Sequence, residues 1–79
     1  MSDESKLRQI LDSMCYNGKM QVYFLNRESA DKYRLQVHHK INGKIRGVLM
    51  DIDYPNFDVE REIELLKKAM IRNYENYLK

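Results

Sequence analysis

Cys15, His38 and His39 are the residues whose types most suggest nucleophilic or metal chemistry, and their spacing decides what they can do together. His38 and His39 are adjacent, and adjacent side chains of an extended strand project to opposite faces, so the pair does not chelate one ion. Cys15 falls on the apolar stripe of a helix described below, where a free thiol behaves as a small hydrophobe. Asp51 and Asp53 share a strand face, a pairing that can hold a divalent cation or carry out acid–base work. Arg34 and Lys32 are expected opposite them, which makes cross-strand ion pairs of ~0.2–1 kcal/mol each the simpler role. The chain has no Gly-rich phosphate loop, no zinc-ligand spacing and no nucleophile-elbow motif. We therefore expect a protein that is not an enzyme, with no catalytic residue, no metal and no cofactor.

Binding chemistry is better represented. Residues 32 to 50 carry five bases and no acid, whereas residues 51 to 64 carry six acids and one base. Lys32, Arg34, His38 and Lys40 alternate along one strand face, with Tyr23 expected beside them, which is the composition of a basic aromatic platform for phosphates and bases. Adding Lys44 and Arg46 completes the candidate set for nucleic-acid binding. Set against this, Leu25, Ile45 and Leu49 are expected on the same face as Tyr23, so a moderately apolar centre would sit inside a charged rim. Protein-binding surfaces are commonly organised in that way. The candidate partner-binding set is Tyr23, Arg34, His38, Lys40, Ile45 and Leu49.

The elements that must position these residues follow from periodicity. Leu7, Ile10, Leu11, Met14 and Cys15 recur at helical intervals, with Ser2 as the expected cap and Asp3 and Glu4 in the first turn, predicting a helix over about 3–16. Asn17-Gly18 supplies a left-handed stop. A strand is expected over 19–25, with Met20, Val22 and Phe24 facing a core and Tyr23 and Leu25 facing away, followed by a polar loop over 26–31. A second strand over 32–41 places Tyr33, Leu35, Val37, His39 and Ile41 on the core face.

Asn42-Gly43 between two β-rich runs signals a two-residue type I′ turn, which needs positive φ at both positions. That turn sets Ile41 opposite Lys44, Val37 opposite Val48, Leu35 opposite Met50, Tyr33 opposite Ile52, Arg34 opposite Asp51 and Lys32 opposite Asp53. Packing and charge are satisfied together, and a one-residue slip would spoil both. After Tyr54-Pro55-Asn56-Phe57, Asp58 is placed to cap a last helix of about 30 Å. Its stripe is Val59, Ile63, Leu66, Met70, Tyr74 and Tyr77, with Leu65 and Ile71 outside it. The expected fold class is α+β: α-β-β-β-α, with a three-stranded antiparallel sheet and both helices packed on one face.

Length and composition bound the rest. The chain has 79 residues, 43% apolar and 33% charged, with three Gly and one Pro, which suits one folded domain. The lone cysteine and the acidic start, Met1-Ser2-Asp3-Glu4, lead us to expect a cytoplasmic chain that does not engage a membrane. A domain this small without disulfide or metal would gain stability as a homodimer. The net charge of +2 is modest for a dedicated nucleic-acid binder.

The helix–meander–helix order resembles that of double-stranded RNA-binding domains. Those domains present bases where the last helix begins, and here Asp58-Val59-Glu60-Arg61-Glu62 is acidic. The leading expectation is a small regulatory, adaptor or inhibitor protein that recognises a protein partner through its open sheet face. The alternative is a nucleic-acid-binding module.

Overall fold

The computed structural model describes residues 3–78. Its elements are α1 (Asp3–Tyr16), β1 (Val22–Ser29), β2 (Lys32–Ile41), β3 (Lys44–Asp53) and α2 (Val59–Leu78). The strands form one antiparallel sheet in the order β1-β2-β3.

Helix α1 buries Leu7, Leu11 and Met14 of the predicted stripe, while its other two members, Ile10 and Cys15, are partly buried against the same core. Its cap, expected at Ser2, lies outside the described residues. At its other end Gly18 adopts φ 76° and the Lys19 amide donates to the Met14 carbonyl at 2.9 Å, which satisfies a carbonyl of the last turn.

The β2–β3 hairpin has the register the sequence predicts, from Ile41 opposite Lys44 to Lys32 opposite Asp53. Asn42 and Gly43 have φ of 51° and 81°, the left-handed pair that the turn requires. Arg34 Nε donates to Asp51 Oδ1 at 3.2 Å. Helix α2 starts where predicted, because Asp58 Oδ1 accepts the Glu60 and Arg61 amides at 3.0 and 3.3 Å.

Helix α1 packs on β1, and α2 packs on β2, β3 and α1. One core joins Leu7, Leu11 and Met14 of α1 to Leu35, Val37, Val48 and Ile52 of the sheet and to Val59, Ile63, Leu66 and Met70 of α2. Burial of each such side chain contributes about 1.5–3 kcal/mol.

Strand β1 departs from expectation, and the departure matters for the site. Its register pairs Leu25 with Leu35 and Tyr23 with Val37, both core residues of β2. Leu25 is 5% exposed, and Tyr23 is half-buried and packed on the core, while Phe24 stands 47% exposed on the other side. The assignment of Tyr23 and Leu25 to the open face is thus corrected, and so is that of Val22 and Phe24 to the core.

The cause lies at the strand's start. The Gln21 amide donates to the His38 carbonyl at 2.8 Å, although His38 is the register partner of Val22. Two successive residues thus oppose one, as in a β-bulge, and the alternation changes phase there. Met20 stays buried, and everything after it is turned over. The strand also runs on through Asn26–Ser29, a segment expected as loop, with a second irregularity between Arg27 and Ser29. Those polar residues sit on a sheet edge and need no apolar cover. Arg27 stacks over the Tyr54 ring at 4.3 Å and donates to the Ser29 and Ala30 carbonyls.

Candidate protein-binding face

With both helices on one side of the sheet, the other side is uncovered by any described element. Alternation along β2 sends Arg34, Gln36, His38 and Lys40 to that side, between buried Tyr33, Leu35, Val37, His39 and Ile41. Successive rows across the sheet are Lys40–Ile45, Val22–His38–Gly47, Phe24–Gln36–Leu49 and Asn26–Arg34–Asp51. Phe24, Ile45 and Leu49 are 47%, 51% and 61% exposed, so large apolar side chains on both outer strands stand in water. His38 lies between them, its ring edge-on to Phe24 with centroids 6.0 Å apart. Gln36 Nε2 lies 3.2 Å from His38 Nε2.

Gly47 contributes no side chain to its row. A depression of about 340 Å³ opens there, lined by Arg34, Gln36, Gly47, Val48 and Leu49. A Cβ built on Gly47 would meet the Val37 carbonyl oxygen at 3.8 Å and His38 Cδ2 at 3.9 Å, ordinary contact distances, so no steric demand imposes the glycine. The rim is charged: Arg34 bridges Asp51 at 3.2 Å and Glu28 at 3.9 Å, Lys40 flanks Ile45, and Lys32 faces Asp53 in register without an ion pair within 4 Å.

The predicted site residues therefore divide. Arg34, His38, Lys40, Ile45 and Leu49 share the open face as expected. Tyr23 is on the helix side, where its hydroxyl donates to Asp12 Oδ1 at 2.5 Å; burial and this bond push its pKa up to about 12. Phe24 occupies the place the sequence reading gave to Tyr23. Nothing in residue types distinguishes the two, because β1 is apolar on both faces.

The six bases of the nucleic-acid set are not brought together either. Lys32, Arg34, His38 and Lys40 keep to the open face, whereas Lys44 and Arg46 lie on the helix side of the hairpin, 5.7 and 4.6 Å from the Tyr77 ring centroid of α2. Strand parity separates them, since β3 sends its even-numbered residues toward the helices.

His39 sits in the core at 0% exposure with its ring 5.4 Å from Tyr74, on the face opposite to His38. Asn73 of α2, which sequence reasoning did not single out, donates through Nδ2 to the Gly47 carbonyl and contacts His39 Nε2, both at 3.1 Å. An amide nitrogen only donates, so Nε2 accepts and the imidazole proton resides on Nδ1, which has no partner. Burial holds the His39 pKa below its ordinary value. Tyr74 donates its hydroxyl to the Lys40 carbonyl at 2.9 Å, a second tie between α2 and the sheet.

Cys15 is half-buried, and burial followed by the nearby Asp12 charge pushes its thiol pKa up, away from the reactive thiolate. Among the described residues no three of His, Cys, Asp and Glu cluster in a way that could hold a metal ion. Among them, too, no helix is long and apolar enough to cross a membrane. No protein-family model matches the chain, and neither a curated protein nor a solved structure shows a significant match to it.

Proposed function

We propose that this chain is a small non-catalytic binding protein of regulatory, adaptor or inhibitor type, which recognises a protein partner through its open sheet face. The supporting observation is the exposure of Phe24, Ile45 and Leu49 on one uncovered face, around Gln36, His38 and Gly47 and inside the rim of Arg34, Lys40 and Asp51. Isolated exposed apolar residues are ordinary, but an apolar centre with a charged rim is the anatomy of an interface. Phe24 and Leu49 supply the anchors that fill a partner's pockets. Arg34 and Lys40 govern orientation and encounter rate. A second copy of the chain is one such partner.

The nucleic-acid reading loses Lys44 and Arg46 to the other side of the sheet and gains no exposed aromatic beyond Phe24, so the protein reading is the better supported. The test is a titration of the partner recovered by affinity capture, at low and at physiological salt. The Phe24→Ala/Leu49→Ala variant should remain folded and bind more than ~1 kcal/mol more weakly with only a small fall in melting temperature, since anchors near an interface centre dominate its energy. A steep salt dependence that diminishes in Arg34→Ala and Lys40→Ala, with Leu49→Ala silent, would instead establish phosphate binding.

A further inference from the structure

On the opposite side of the molecule, a trough runs between α1 and α2. It consists of two adjoining hollows of about 340 and 270 Å³ that share Met14, Lys19 and Lys67. Met14 and Met70 form its floor, Ile71 and Tyr74 one wall, and Ile10 with Ser13 the other. Ile71 is among the most exposed aliphatic side chains of the described residues, although it borders this apolar trough. The charged residues lining the trough are Lys19 and Lys67, both basic, and among the described residues no carboxylate lies within 4 Å of either ammonium. The ion pairs on these helices, Lys6 with Glu60 at 3.8 Å and Arg8 with Glu4 at 3.0 Å, involve neither.

We propose that this trough docks a short acidic amphipathic helix of a protein partner, at a second surface independent of the open sheet face. Three features fix that occupant. The walls are helices, whose backbone groups are already bonded internally, so an extended peptide would gain no main-chain pairing from them, whereas a helix brings its own backbone bonds already made. The trough is lined by Gln9–Met14 of α1, with Asn17 just past the end of that helix, and by Lys67–Tyr74 of α2, a stretch of about 10–11 Å, the length of roughly two turns with apolar residues at i, i+3 or i+4, and i+7. The two unpaired ammonium groups on its border call for carboxylates flanking that stripe. The methionine floor adapts to side chains of differing shape, as Met-rich peptide grooves do.

The test uses two blocked synthetic helices with the same leucine stripe, one carrying Glu and the other Lys at the flanking positions. They are titrated into the whole chain labelled at its methionine methyls. The Glu peptide should shift the Met14 and Met70 methyl signals and bind better than the Lys peptide, with the difference shrinking in high salt. The Lys19→Glu/Lys67→Glu variant should weaken the Glu peptide about tenfold and reverse the preference, because two exposed pairs become two repulsions. Equal affinity for the two peptides, or unmoved Met14 and Met70 methyls, would overturn the proposal. The Phe24→Ala/Leu49→Ala variant should bind the Glu peptide as the unaltered chain does. A loss in that variant would assign the peptide to the sheet face and overturn the trough, while leaving the sheet-face reading intact.

Discussion

His39 shows how one residue couples titration to the packing of a whole helix. Its imidazole is neutral in the core, with Nε2 accepting from Asn73 and Nδ1 unpartnered. Protonation would turn Nε2 into a donor facing the donor amide that also holds the Gly47 carbonyl, and would place a charge across the strand from Arg46. Because burial lowers the folded-state pKa below the ordinary value of 6.5, the unfolded chain takes up the proton first as pH falls. The stability tied to the neutral ring is present above that value and declines as pH drops through the folded pKa. Glu62, 8% exposed and raised by burial, acts in the opposite direction, since acid favours its neutral folded form. The two are separable by variant. Urea unfolding between pH 7.5 and 5.5 should show a loss of stability that is smaller in His39→Gln, and identical pH slopes in the two proteins would refute the coupling.

At the scale of elements, the contrast between the hairpin and β1 explains what the sequence could convey. The β2–β3 register was legible because Asn42-Gly43 admits one turn, and because Arg34 with Asp51 and Val37 with Val48 both agree with it. The helices were legible from their stripes and from Asp58. Strand β1 was not, since Met20, Val22 and Phe24 and also Tyr23 and Leu25 are apolar, so neither phase of the alternation is penalised by residue type. The bulge at Gln21 and Val22 selects the phase through a backbone bond, and a backbone bond leaves no residue signature. Asn73 was equally silent, for its role arises only when α2 crosses the edge of β3. The phase of β1 is open to measurement. Leu25→Ala should cost about 2–5 kcal/mol, the range for a buried leucine, whereas Phe24→Ala, on the solvent side, should cost less than ~1 kcal/mol. The reverse order in thermal or chemical melts would return Phe24 to the core.

On the scale of the whole molecule, two helices on one side of a three-stranded sheet leave a protein with two unlike sides. One is an open face with apolar residues at its centre and charges at its rim, and the other is a helical layer with a basic-edged trough. Antiparallel sheets tolerate water on one face when that face is polar, and here it carries Val22, Phe24, Ile45 and Leu49 among its polar residues. That composition is the reason we propose this face as the interaction surface. The most direct measurement of the central claim is a methyl chemical-shift map of the chain, recorded on adding the captured partner. The account predicts that the signals of Val22, Ile45 and Leu49 move together and saturate at the same partner concentration, while Leu66 in the core stays in place. Perturbations confined to the helical layer, at Leu65 and at Ile71 of the trough wall, with Ile45 and Leu49 unmoved, would contradict it.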